Sequence, residues 1–296
     1  MNVFEKIKQD GLLFDGGMGS MLIAQGLQGG ESSELWNLTH PDRIRNIHKA
    51  YFDAGADVAT ANTFGASPSK LAQMGVTQEM AEINRAGVRL AREAAQEAGS
   101  EGQYVAGDIG SLDGMLAPMG TLTETEAKAE YAQQAAVLEE EGVDLFIVET
   151  IFDLNLAVCA VEAVRSVSQK PVISTMTFKQ TPRGFFTIVG NDPGKSMARL
   201  VEAGAWAVGA NCSIGSDAMV DLAAQIRASV EVPVIVQPNA GMPERQQDGS
   251  LYYPEDEAVF ADNIAKIKAL GVEIVGGCCG TTPDYINRIR KDLVRS

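Results

Sequence analysis

Eight short apolar runs punctuate this chain, at residues 11–15, 57–61, 104–107, 145–149, 172–176, 207–211, 234–237 and 273–276, and a helix-patterned stretch follows each. The runs are rich in Val, Ile and Ala and show no clean polar alternation. A strand that reads this way is buried on both faces, as in a parallel sheet covered by helices. Helix start signals fall where this alternation needs them. Thr123-Glu-Thr-Glu126 is a capping box, and Asp192-Pro193 and Thr282-Pro283 set an N-cap before a first-turn proline. Eight strand–helix units in 296 residues predict a (β/α)8 barrel, a single domain over residues 1–296. A doubly wound sheet is the rival, and it would carry a glycine-rich phosphate loop after its first strand. Asp15-Gly-Gly-Met-Gly19 lacks that loop's spacing and opens on an acid that would repel a pyrophosphate.

Three connections are long, at residues 16–40, 177–191 and 238–254, and each follows a strand. In a barrel they share one face, the face on which sites are built. The polar residues at strand ends fall there too: Asp15, Asn62 with Thr63, Asp108, Glu149, Asn211 with Cys212, Asn239, and Cys278 with Cys279. Barrel closure would bring Cys212, Cys278 and Cys279 to one mouth. Adjacent residues on a regular strand point to opposite faces, so Cys278 and Cys279 can share a target only where the chain bends, and Gly276, Gly277 and Gly280 permit that. Three thiolates suit zinc with a fourth position open. The competing reading makes the three cysteines small buried hydrophobes, the role expected of Cys159 between Val158 and Val161. An open three-thiolate zinc already carries negative charge and polarises carbonyls poorly. It can instead hold an incoming thiol as a nucleophilic thiolate, which points to alkyl transfer onto sulfur.

Composition narrows the field further. The net charge of -15 argues against a nucleic acid or an anionic membrane as partner. No apolar run approaches the roughly 18 residues of a membrane span. The charged amphipathic start at Met1 carries no signal-peptide core, so a cytoplasmic location is expected. Four cysteines in a chain of this length do not make a disulfide scaffold. The two histidines, His40 and His48, leave little for chemistry that needs several imidazoles.

Six motifs, Asp15-Gly-Gly-Met-Gly19, Ala61-Asn-Thr-Phe-Gly65, Val148-Glu-Thr150, Gly209-Ala-Asn-Cys212, Gln237-Pro-Asn-Ala-Gly241 and Gly276-Gly-Cys-Cys-Gly-Thr-Thr-Pro283, together resemble the homocysteine S-methyltransferases. The resemblance spans nearly the whole chain. It implies a zinc-dependent barrel that methylates homocysteine to methionine, with Cys212, Cys278 and Cys279 as ligands and the substrate sulfur as the fourth. It also implies that Glu149 receives the substrate ammonium, and that Asn239 can occupy the metal before substrate arrives. The glycine turn headed by Asp15, with Gly16 and Gly17, is then placed to hold the substrate carboxylate through backbone N–H groups. Asn62 and Thr63 are candidates for orienting substrate or loops.

The methyl donor is less legible. The cobalamin-dependent methionine synthases use this barrel as one module, which here implies a corrinoid carried by a separate partner protein. A betaine-type small donor is the alternative. Ser32-Ser-Glu-Leu-Trp-Asn37 resembles stand-alone bacterial proteins of the betaine branch, whereas Thr150 stands where the animal betaine enzymes have tyrosine. Gly280 stands where the S-methylmethionine branch usually has arginine. A cationic donor would want aromatic neighbours, for which Phe64, Trp36, Phe185 and Phe186 are candidates. Rivals of other classes are a Schiff-base lyase, which needs a barrel lysine for which Lys179 is the nearest candidate, a zinc hydrolase, and a non-catalytic corrinoid-partner module.

Overall fold

A computed structural model describes residues 3–99, 102–246 and 251–295. The main sheet has eight parallel strands: β1 (Leu12–Leu13), β2 (Val58–Thr60), β3 (Tyr104–Ile109), β4 (Leu145–Ile151), β5 (Val172–Met176), β8 (Ala207–Gly215), β9 (Val234–Asn239) and β12 (Ile274–Val275). Two antiparallel hairpins interrupt the numbering: β6 (Lys179–Thr181) with β7 (Gly184–Phe186), and β10 (Glu244–Arg245) with β11 (Leu251–Tyr252). Strand order runs β1-β12-β9-β8-β5-β4-β3-β2. The edges meet through a parallel bridge between Phe14 and Val58, flanked by Asp57 N–H to the Leu13 carbonyl (2.7 Å) and Asp15 N–H to the Val58 carbonyl (3.0 Å). The sheet is therefore the expected (β/α)8 barrel.

Two separate apolar clusters explain why the strands read without alternation. Leu12, Phe14, Val58, Ala106, Leu145, Ile147, Ile173, Ala207, Ile235 and Ile274 fill the barrel interior. Their strand neighbours Leu13, Val105, Phe146, Val148, Val172, Val208, Val234 and Val275 belong to the larger layer between sheet and helices. Each strand thus has period two, but both phases are apolar because both faces are buried.

The capping box at Thr123 and Glu126 starts the helix Glu124–Glu140, and Asp192 accepts from the Lys195 N–H to start Pro193–Glu202. The amphipathic start of the chain is the helix Val3–Asp10, whose Val3 and Ile7 join the interior cluster and close the barrel floor. The long connections are not bare loops. The first holds the helices Met18–Ala24 and Trp36–Thr39, and the other two carry the hairpins. Strand lengths differ from the pattern in the sequence. β4 and β8 overrun their expected ends, with register shifts between Val148 and Ile151 and between Asn211 and Gly215.

Candidate metal and substrate site

The two register shifts build the site. A bulge re-aims the side chains that follow it, and here the bulged residues are non-glycine residues in the left-handed region: Thr150 (φ 59°), Cys212 (φ 59°) and Ser213 (φ 64°). The bend at the last strand is different. There Gly280 has φ 84°, and a Cβ on it would collide with the ring of Tyr253. That turn is tied down by Cys278 N–H to the Pro238 carbonyl (2.8 Å) and Ala240 N–H to the Cys279 carbonyl (3.0 Å). The result brings the three sulfurs of Cys212, Cys278 and Cys279 within 4.8 Å of one another, and Cys212 and Cys279 are 3.9 Å apart. All three are partly open to a cavity of about 300 Å³ that they line. Cys159, by contrast, is buried in the helix Leu154–Val167, where burial pushes its thiol up to about 11.

The sulfurs share their protons. Crowding of the three sulfurs draws Cys279 well below the ordinary thiol range and holds Cys278 well above it. Two such protons must leave before all three sulfurs can serve one cation, so cation binding here releases protons.

Four carboxylates face the same cavity, Asp15, Glu34, Asp108 and Glu149, and among the described residues no lysine, arginine or histidine lines it. Burial pushes the Asp15 carboxyl up to about 7, even though Thr60 donates to it through its N–H and its hydroxyl, each at 2.8 Å. Burial, with the Cys212 sulfur and Asp15 nearby, pushes Glu149 up to about 8. Asp108 rises well above the carboxylate range through burial and the neighbouring Glu149, and its Oδ1 is buried without a hydrogen-bond partner. The sequence singled out Asp108 as a rim residue, and Glu34 only as part of a loop motif. Glu34 earns its place through the fold, accepting from the Ser32 hydroxyl and the Gly65 N–H, each at 2.9 Å. A pocket this acidic favours a ligand that brings positive charge.

The remaining expected residues separate into those that face the cavity and those that hold its walls. Gly16 and Gly17 line the cavity, but the Gly17 N–H donates to the Thr281 carbonyl (3.1 Å) and hydroxyl (3.2 Å), so that donor is committed within the fold. Asn62 lines the cavity while its amide donates to the Ser33 carbonyl (2.8 Å) and to Asn37 Oδ1 (2.9 Å), fastening the first long connection. Thr63 is fully buried and does not line the cavity; its hydroxyl donates to the Asp108 carbonyl (2.8 Å). Asn239 lies outside the lining, but its Oδ1 is buried and unpartnered on the segment that receives the Cys279 turn.

Of the four aromatic candidates, Phe64 lines the cavity and the others do not. Trp36 is buried, stacked on His40 at 4.3 Å and covered by Arg43, which makes it a loop anchor. His48 is fully buried with neither ring nitrogen partnered, and burial lowers it to about 4. Tyr253, which the sequence did not mark, packs on Gly280 with its hydroxyl facing Cys279. Lys179 is exposed on β6 and lines a different hollow beside Ser213.

The model of the homocysteine S-methyltransferase family matches residues 12–293. Methionine synthase of Mycobacterium leprae is 30% identical over 99% of this chain, and that of Mycobacterium tuberculosis 31% over 97%. The chain spans about a quarter of the length of these relatives, 25% in each case. Among solved structures, the homocysteine methyltransferase MmuM from Escherichia coli in its metallated form superposes with a TM-score of 0.80, covering 99% of both chains at 23% identity. The carboxyl transferase domain of Rhizobium etli pyruvate carboxylase shares only the barrel, with a TM-score of 0.56 at 14% identity, covering 98% of this chain and 49% of that one. Motif order, barrel geometry and the gathered cysteines agree with the family match over residues 12–293: the chain belongs to the homocysteine S-methyltransferase family.

Proposed function

We propose that the protein transfers a methyl group to the sulfur of homocysteine, giving methionine, with the thiol held as a thiolate on zinc by Cys212, Cys278 and Cys279. The observation that carries this is the sulfur cluster itself. Two sulfurs on one tetrahedral zinc lie about 3.8 Å apart, given a Zn–S bond of about 2.3 Å, and Cys212 and Cys279 are 3.9 Å apart. The donor set is three soft thiolates with no histidine, which selects for zinc over hard cations. The unpartnered Asn239 Oδ1 fits the role of a weak fourth ligand that substrate displaces.

Zinc supplies the charge that keeps the substrate sulfur deprotonated at neutral pH. The protein does the rest. Glu149, beside the sulfurs, takes the substrate ammonium, and Asp108, whose Oδ1 has no partner, stands next to it. The substrate carboxylate is assigned to the glycine turn headed by Asp15, which lines the cavity against the Cys278–Thr281 turn, through donors other than the Gly17 N–H, which Thr281 takes. The thiol proton passes to solvent. The sulfur lone pair forms the new S–CH3 bond as the bond from methyl to its carrier breaks, and the carrier leaves with that electron pair.

The donor we propose is a methylcorrinoid held outside this barrel domain. The support is the 30% and 31% identity to proteins named methionine synthase, the group in which the resemblance places this barrel as one module. The betaine reading has an observation of its own. Four carboxylates and Phe64 line a cavity that has no cationic side chain among the described residues, a setting that favours a cationic donor. A Schiff-base lyase has no lysine in the lining among the described residues. The test is methionine formation from homocysteine with methylcobalamin, betaine, S-methylmethionine or methyl-folate, scored with zinc content. A protein that binds no zinc, or whose zinc shell is unchanged at saturating homocysteine, sinks the reading.

A further inference from the structure

Asn211 is fully buried and does not line the cavity, yet its side-chain amide reaches across three strands. From β8 its Oδ1 accepts the Thr175 hydroxyl of β5 at 2.9 Å and the Thr150 N–H of β4 at 3.0 Å. Its Nδ2 donates to the Thr150 hydroxyl at 2.7 Å and to Glu149 Oε2 at 3.2 Å, and lies 4.0 Å from the Cys278 sulfur. Every donor and acceptor of the amide is therefore engaged.

The arrangement has a consequence for Glu149. Glu149 and Thr150 both line the cavity, which consecutive residues on a regular strand cannot do. They manage it because the register between β4 and β5 breaks after Val148 and Thr150 sits at φ 59°. That conformation is unfavourable for a β-branched residue and persists only where the surroundings over-determine it. Asn211 provides that restraint, closing two hydrogen bonds on Thr150 while holding one oxygen of Glu149.

We propose that Asn211 is a positioning residue that fixes the Glu149 carboxylate, and thereby sets the preference of this site for a thiol that also carries an ammonium group. The inference rests on the reading of Glu149 as the ammonium receptor in the proposed methyl transfer. Asn211 acts through Glu149 and touches no ligand. It is distinct from a metal-holding residue, because its approach to Cys278 is the longest of its contacts.

The test uses protein loaded with cobalt(II) in place of zinc, so that thiol binding appears as a change in the sulfur-to-metal absorption. Homocysteine is titrated against 4-mercaptobutanoate, which is the same chain without the amine. Wild-type protein should prefer homocysteine by about 10- to 100-fold, the range of one charge-assisted hydrogen bond. The variant Thr150→Gly, in which φ 59° needs no support, loses one anchor of the amide but keeps its bonds to Thr175, to the residue-150 N–H and to Glu149, and should lower that preference by no more than about threefold. Adding Asn211→Ala to it should reduce the preference to about threefold or less, leaving 4-mercaptobutanoate binding unchanged. Should the double variant fail to fold, Thr175→Val removes one anchor of the amide and should lower the preference by roughly 2- to 10-fold. A double variant that keeps the wild-type preference, or one that weakens both thiols equally, overturns the inference while leaving the methyl-transfer reading intact. With Thr175→Val, an unchanged preference does the same. A wild-type protein whose absorption neither thiol alters overturns both.

Discussion

The two ends of one strand make the instructive comparison. At the barrel floor β4 begins with Leu145 and Ile147, regularly paired, apolar and packed in the interior cluster under the helix Val3–Asp10. Four residues beyond Leu145 the same strand reaches Glu149 and Thr150, where the register breaks, the backbone enters the left-handed region and a carboxyl is buried in a cavity with no cationic side chain among the described residues. The floor is where the chain gains stability. The mouth is where part of that stability is given up to hold groups in arrangements the unliganded fold disfavours.

The largest expected effect is at the mouth. Cys278→Ala should weaken metal binding by on the order of 100-fold or more, because loss of a direct ligand exceeds the 10- to 100-fold cost of losing a residue that only supports one. Chelator competition measures it, and a variant that keeps one tightly held zinc would break the comparison. At the floor the effect should reverse in kind. Leu145→Ala should cost about 2–5 kcal/mol of unfolding free energy while metal content stays unchanged. Denaturant titration beside metal analysis checks both halves.

The buried carboxyls make a pH prediction. Burial raises Asp15 from 3.8 to about 7 and Glu149 from 4.5 to about 8. Between the unfolded and folded values the folded state binds more protons than the unfolded one, so stability falls as pH rises through this window and levels off above it. The metal-free protein should therefore melt at a higher temperature near pH 5 than near pH 8. Glu149→Gln should flatten that slope while weakening homocysteine binding, and an equally steep slope in the variant would remove Glu149 as its source. The smallest effect sharpens the contrast. Ser213 sits at φ 64° beside a metal-ligand candidate, and Ser213→Gly should stabilise the fold by about 1 kcal/mol without loss of metal. No change in the melting temperature would show that this bend stores no strain.

Most of the barrel was legible because its signals are local. Runs such as Val172–Met176, the Thr123 capping box and the Asp192-Pro193 start depend on neighbours a few residues away. The cysteines were legible for another reason. Once eight strand ends are known to converge, chain order alone sends Cys212, Cys278 and Cys279 to the same face. What escaped were bonds between residues far apart in sequence. Nothing near Thr63 announces that its hydroxyl is spent on the Asp108 carbonyl, 45 positions away, and nothing near Gly17 announces that its N–H is taken by Thr281, 264 away. Tyr253 could have been suspected only from the lack of a side chain at Gly280.

The order of apolar runs and the types of polar residue at their ends determined the architecture and the set of side chains at its mouth, because burial on two faces and the supply of thiols and carboxyls are properties of residue type and spacing. The tertiary structure alone decided which of those polar groups face the cavity and which are consumed in holding it. A hydrogen bond once made inside the fold removes its donor from any ligand. For Thr63 and Asn211 the partner lies on another strand, and for Asn62 on the long connection folded over the barrel, so none of the three is set by the neighbouring sequence.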